Sequence, residues 1–146
     1  MPTITSLTQQ TPVVGTEMLA ADLTGGTGTR KIQVSDIQTI RQNIQSASYT
    51  LLLSDAGKHI LHPSADVTAR TFTIDSNANV AYPIGTTLEF VNQNGAGVIT
   101  IAITADVMRL SGAGTTGART LAANGVARAL KILATEWIIA NLGGLT

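Results

Sequence analysis

His59 and His62 are the only histidines in the chain. On a strand, two residues three apart point to opposite faces, so the pair cannot chelate one ion from one side. A metal centre would need both on one side plus a third ligand such as Asp55 or Asp66. Ordinary surface or interface histidines are the expectation. The carboxylates Asp55, Asp66, Asp75, Glu89, Asp106 and Glu136 are the other titratable candidates. Glycosidase chemistry would need two of them about 5 to 10 Å apart in a cleft, one with a raised pKa. Asp55 and Asp75 stand where strands should end, a place where Asp braces turns through neighbouring backbone. Glu89 and Glu136 fall on outward positions of alternating segments. Gly112-Ala113-Gly114-Thr115-Thr116-Gly117 lacks the lysine of a phosphate loop and precedes no helix, so it reads as a flexible loop. With no cysteine there is no disulfide, thiolate site or thiol nucleophile. No catalytic, cofactor-binding or metal residues are assigned, and no enzyme is expected.

Trp137 is the only tryptophan, and only four other aromatic residues occur: Tyr49, Phe72, Tyr82 and Phe90. Its neighbours Ile138 and Ile139 point to a core or subunit-interface anchor rather than a sugar platform. The core must otherwise be built from Ile, Leu, Val and Ala. Nine basic and nine acidic residues cancel, and charged residues make up only 12% of the chain. That excludes the electrostatic footprint of a nucleic-acid binder and permits close association of copies. The first residues have neither the basic nor the apolar region of a signal peptide, and no apolar run reaches the ~18 residues of a membrane span. A soluble chain made in a cytoplasm is expected.

The elements divide near residue 47. Residues 1–47 read as an arm: Glu17 to Leu23 is a possible strand, and Thr29 to Val34 alternates, so a hairpin or loose β-loop is expected. Ser35-Asp36-Ile37-Gln38 has the form of a capping box. Ile37, Ile40 and Ile44 follow at helical spacing, predicting a short helix of about ten residues, marginal by itself. Its stripe would pack on its own subunit or against identical helices in a trimer. Arg30 and Lys31 could pair with an acidic docking surface.

Residues 48–146 change to period two. Segments near 49–54, 58–62, 70–75, 86–92, 98–103, 107–110, 119–122, 126–134 and 137–141 read as strands, with turn signals between them. Asn124-Gly125 is the best tight-hairpin signal, because both residues tolerate positive φ. The fold class expected is mainly β: an antiparallel sandwich or jelly roll with an N-terminal arm containing one short helix.

The stretch Tyr49-Thr50-Leu51-Leu52-Leu53-Ser54-Asp55-Ala56-Gly57-Lys58 resembles a module common near the ends of tailed-bacteriophage tail-fibre and other virion structural proteins. The resemblance continues through Tyr82-Pro83-Ile84-Gly85-Thr86, Gly95-Ala96-Gly97-Val98-Ile99-Thr100-Ile101-Ala102 and Ala134-Thr135-Glu136-Trp137-Ile138-Ile139. Thr11 to Glu17 and Arg30 to Ile37 are similar to a segment near the start of many phage fibre proteins. The resemblance implies a virion location after assembly in the bacterial host cytoplasm. Its implied partners are further copies of the chain, most simply as a homotrimer, and capsid, baseplate or tail proteins. It departs in lacking a shaft and receptor tip, which keeps a capsid decoration (cement) protein open beside a tail-fibre-like appendage. A carbohydrate-binding module for host-surface glycans is a further alternative. Ile37, Ile40, Ile44, Arg30, Lys31 and Trp137 are the expected assembly contacts.

Overall fold

The computed structural model describes residues 18–21, 30–33 and 39–146. The chain forms two compact units, Met1–Ile40 and Arg41–Thr146. In the first, β1 (Met18–Ala21) pairs antiparallel with β2 (Arg30–Gln33), the hairpin expected from the alternation. Arg30 and Lys31 are the first two residues of β2. Residues 34–38, and with them Ile37 and the capping box, lie outside the described residues.

The second unit is built from nine strands: β3 (Gln42–Ile44), β4 (Tyr49–Thr50), β5 (His59–His62), β6 (Arg70–Ile74), β7 (Thr87–Asn92), β8 (Ile99–Ile103), β9 (Val107–Leu110), β10 (Arg119–Leu133) and β11 (Glu136–Leu145). Mainly β is therefore right, and the strand positions follow the alternation closely. The expected all-antiparallel pairing is not what forms. β3–β5, β5–β7, β4–β6, β6–β8 and β9–β11 are parallel pairs, and only the partners of β10 run antiparallel. Parallel neighbours need a long return connection, usually a helix. Here successive strands alternate between two half-sheets, β3-β5-β7 and β4-β6-β8, so each return runs through the opposite half-sheet.

β10 joins the halves. Its residues Val126–Leu130 pair with β7, and Arg119–Leu121 pair with β8. Between these stretches lies Asn124-Gly125, which is not a hairpin turn. Asn124 has φ of 61°, the ladder to β11 shifts register there, and the strand continues beyond it. The same tolerance of positive φ that makes a turn here makes a bulge inside a long strand. A Cβ on Gly125 would stand 2.5 Å from Leu121 Cδ1 and 2.6 Å from the Ala122 carbonyl oxygen, so glycine is required.

The helix expected after the capping box does not extend over its later residues. Gln42–Ile44 is a strand in parallel register with His59–Leu61. Ile40 and Ile44 form no helical stripe; both are exposed. Pairing with β5 satisfies the backbone and outweighs a marginal local helical preference.

The two half-sheets and the β10–β11 hairpin enclose one core. Ile60, Phe72, Ile74, Leu88, Phe90, Ile99, Ile101, Leu121 and Trp137 are fully buried. Each large apolar side chain so removed from water stabilises the fold by about 1.5–3 kcal/mol before the entropy of ordering it. His62 on β5 meets Phe72 on β6 edge-on, with ring centroids 6.1 Å apart, so the curled mixed sheet brings side chains of its two halves together.

Candidate functional site

Three polar clusters and one surface row account for most of the residues singled out by type. The first cluster is centred on Asp55, 1% exposed, in the 3-10 turn Leu53–Asp55 that follows β4. Its Oδ2 accepts the Leu52 N–H at 2.9 Å and the Tyr49 hydroxyl at 2.7 Å. Its Oδ1 accepts Asn43 Nδ2 at 2.9 Å and Lys58 Nζ at 3.3 Å. Burial alone would push this carboxyl up, but donation from Leu52, Tyr49, Lys58 and Asn43 together outweighs burial and lowers it. Burial, then the bond to Asp55, raises the Tyr49 phenol in turn. Tyr82 donates to the Leu52 carbonyl at 2.7 Å and closes the turn from the other side. Tyr49, Asp55 and Lys58 thus explain one another: an acceptor at the turn, a donor from the strand before it and a cation just after it.

The second cluster corrects the expectation for His62, which is not a surface residue but is fully buried. Asn92 Nδ2 donates to the carbonyls of Gly97 and Leu121, so Asn92 Oδ1 is turned to His62 Nδ1 at 3.1 Å. The Gly97 carbonyl lies at 3.1 Å from the same nitrogen. Asp66 Oδ2 lies 3.1 Å from Nε2, so every partner of this ring is an acceptor. Arg70 grips Asp66 through Nε at 2.7 Å and a second nitrogen at 3.2 Å. That guanidinium, with further donation from His62 and Thr68, holds the Asp66 carboxyl far below the usual carboxylate range. His59 points the other way, as the three-residue spacing requires, and meets Gln42 Nε2 at 2.9 Å. Sequence spacing separated the two faces but could not say which was the inner one.

The third cluster surrounds Trp137, which has 0% exposure within its own chain and leaves no surface for a partner. Tyr82 meets its ring edge-on at 5.5 Å, and Lys131 Nζ lies 5.6 Å from the ring centroid. Lys131, 1% exposed, donates to Asn77 Oδ1 at 2.6 Å. Trp137 Nε1 is buried and makes no hydrogen bond, so the indole contributes by packing and by its face toward the ammonium. A buried lysine was missed because its position in β10 alternates in phase with Ala127 and Ala129, a signal that charge type obscures.

The remaining carboxylates serve the fold. Asp75 accepts from Ser76 N, Thr104 Oγ1 and Asn79 Nδ2 at a turn. Glu89 and Glu136 project outward and pair with Arg128 and Arg109. A cleft of about 350 Å³ beside β9 is lined in part by Thr104, Asp106, Arg109 and Thr116. Three of these are engaged elsewhere: Thr104 with Asp75, Asp106 with Asn77 N, Arg109 with Glu136. No group of three potential metal ligands occurs among the described residues.

The surface row lies on the outer face of β3, β5, β7 and β10. Register places Ile44, Leu61, Val91 and Val126 side by side across four strands. Ile44 is 56% exposed, and the other three are half-buried. The neighbouring row is polar: Gln42, His59, Glu89 and Arg128. On the other half-sheet the outer positions are Thr71, Thr100 and Thr120 in one row and Thr50, Thr73 and Ala102 in the next.

No protein-family model, curated protein or solved structure matches this chain.

Proposed function

We propose that this chain is a non-enzymatic structural subunit of a tailed-phage virion, a tail-fibre-like appendage protein that docks through its N-terminal arm. The observation that supports it most is the closed brace formed by Tyr49, Asp55 and Lys58. The residues that carry the virion resemblance are used up in holding a turn, as a structural module requires. In this reading the two half-sheets are the layers of a sandwich, copies of the chain assemble with one another, and the arm contacts other virion proteins. Capsid decoration is the second reading, in which the same braced module would pack against the head. A glycan-binding role is left with little aromatic platform: Tyr82 and Trp137 are buried, and the Tyr49 hydroxyl is engaged by Asp55.

Electron microscopy of particles assembled without this protein tests the proposal. Loss of tail or baseplate projections is the expected result. Loss of capsid protrusions would transfer the protein to the head, and particles unchanged in structure and composition would remove it from the virion altogether.

A further inference from the structure

Asn94-Gly95 and Asn124-Gly125 are the two Asn-Gly pairs in the chain. Before glycine, the backbone nitrogen that follows an asparagine reaches the side-chain carboxamide most easily, because no Cβ stands in the way. The fold treats the two pairs differently. Asn94 and Gly95 are both exposed, at the centre of a turn closed by the Ala96 N–H donating to the Gln93 carbonyl at 3.2 Å. Neither the Gly95 N–H nor Asn94 Nδ2 donates to any group among the described residues, so the protein restrains neither nitrogen.

Asn124 is restrained at every one of these points. Its Nδ2 donates to Asn94 Oδ1 at 3.2 Å, so its amide nitrogen is tethered. Gly125 is buried within β10, where the Leu121 side chain and the Ala122 carbonyl fill the space a Cβ would take. Gly144 packs against it as well, close enough that a Cβ there would stand 3.1 Å from Gly125 Cα. Val126, the next residue, is in register with both Val91 and Gly143. The Gly125 nitrogen therefore cannot swing toward the Asn124 carboxamide without disturbing two strand pairs.

We propose that Asn94 is a site of spontaneous deamidation in the folded protein, and that the fold protects Asn124 from the same reaction. The Gly95 backbone nitrogen gives its proton to hydroxide and forms a bond to Asn94 Cγ. The Cγ–Nδ2 bond breaks, and the amide nitrogen leaves as ammonia with a proton taken from water. Water then opens the resulting succinimide ring. Addition at Cγ gives aspartate at position 94; addition at the backbone carbonyl carbon gives isoaspartate, with the chain running through the former side chain. Either product puts a carboxylate on a chain that carries no net charge. Isoaspartate also adds a carbon to the backbone between Asn92 and Gly97, the two residues that face His62 Nδ1. The inference goes beyond the virion reading, since it concerns the covalent state of the chain and stands for any location of the protein.

The test holds the full chain at mildly alkaline pH and physiological temperature, folded or in denaturant, and follows it by peptide mapping with mass spectrometry. Replacing an amide NH2 by OH raises the mass of the peptide that carries it, and chromatography separates aspartate from isoaspartate. The expected result is conversion at Asn94 faster than at Asn124 by about tenfold or more in the folded chain, and similar rates at the two sites in denaturant. The isolated isoaspartate form should melt below the Asn94→Asp variant, which carries the same charge on an unchanged backbone. An Asn94 that stays intact in the folded chain overturns the proposal, as does an Asn124 that converts equally fast there. A rate difference as large in denaturant as in the fold would overturn protection by the fold. Equal melting of the two carboxylate forms would overturn the link to the His62 cluster. Absence of the protein from purified particles would sink the virion reading and leave this result untouched.

Discussion

Tyr49 donates its hydroxyl hydrogen to Asp55 Oδ2 across 2.7 Å, joining the start of β4 to the turn that follows the strand. The carboxylate is nearly buried and receives three further donors, so its charge is satisfied inside the fold rather than by water. Removing it should be costly. Asp55→Ala is expected to destabilise the fold by about 3 kcal/mol, and Tyr49→Phe by about 1 kcal/mol. Urea unfolding of both variants checks the order: a Tyr49→Phe loss larger than that of Asp55→Ala would contradict the brace.

Acid should weaken the fold through the same carboxylates. Asp55 and Asp66 are both held below their ordinary values. Their contribution is complete above the unfolded-state value of about 3.9 and is lost as pH falls through the folded-state values. The melting temperature should therefore be insensitive to these two groups near neutrality and drop below about pH 4. In Asp66→Asn the neutral-pH value should be lower and the acid slope shallower. An acid slope as steep as the parent's would show that Asp66 is not one of the groups responsible.

Lys131 separates charge from volume. Its ammonium is buried with one hydrogen-bond acceptor and an aromatic face, a poor substitute for water. Replacement by an apolar chain of similar length should cost little: Lys131→Met is expected to lie within about 1 kcal/mol of the parent or to exceed it. Lys131→Ala should lose about 2–4 kcal/mol through the cavity it leaves. Thermal or denaturant unfolding of the pair reads the contrast directly.

Gly97 illustrates a close backbone approach. A Cβ there would stand 2.3 Å from the Thr68 carbonyl oxygen, so Gly97→Ala must push the loop after β5 away from the loop after β7. A loss of about 1–3 kcal/mol is expected, together with slackening of the His62 cluster, whose Nδ1 faces the Gly97 carbonyl. Amide hydrogen exchange should speed up at Thr68, which donates to Asp66 Oδ1, more than at Leu51, which pairs with Thr73.

Trp137 supplies an internal probe because it is the only indole. Its fluorescence in the folded protein should be inaccessible to iodide and become accessible only on unfolding. Ready quenching under native conditions would contradict its placement in the core.

The strand positions were legible because alternation of Phe72/Ile74, Leu88/Phe90 and Ile99/Ile101 reports the buried face directly. Strand partners were not. Alternation says that a segment is half-buried, but Ile60 beside Phe90 in parallel is a relation between positions thirty apart that no local pattern encodes. Parallel neighbours ordinarily need a helical return over a sheet face, but here each return is itself a strand of the opposite half-sheet. Asn124-Gly125 misled for a related reason: its backbone preference is local, whereas the choice between a turn and a bulge depends on β7 and β8 meeting the same strand. Among the candidate sites, the turn role of Asp55 was visible, while the inward rotation of His62 depended on which face of β5 met Phe72.

Alternation between half-sheets also orders events during synthesis. Neither β7 nor β8 has its antiparallel neighbour until Arg119–Leu133 has left the ribosome. Short-range hairpins that could hold the earlier strands are largely missing from this unit, since Tyr49 pairs with Phe72 and Leu61 with Val91. The nascent chain must therefore carry unsealed strand edges through most of its translation, and closure comes late and all at once. Folding of this unit should therefore respond to the pace at which β10 is delivered, a property set by that winding rather than by any single residue.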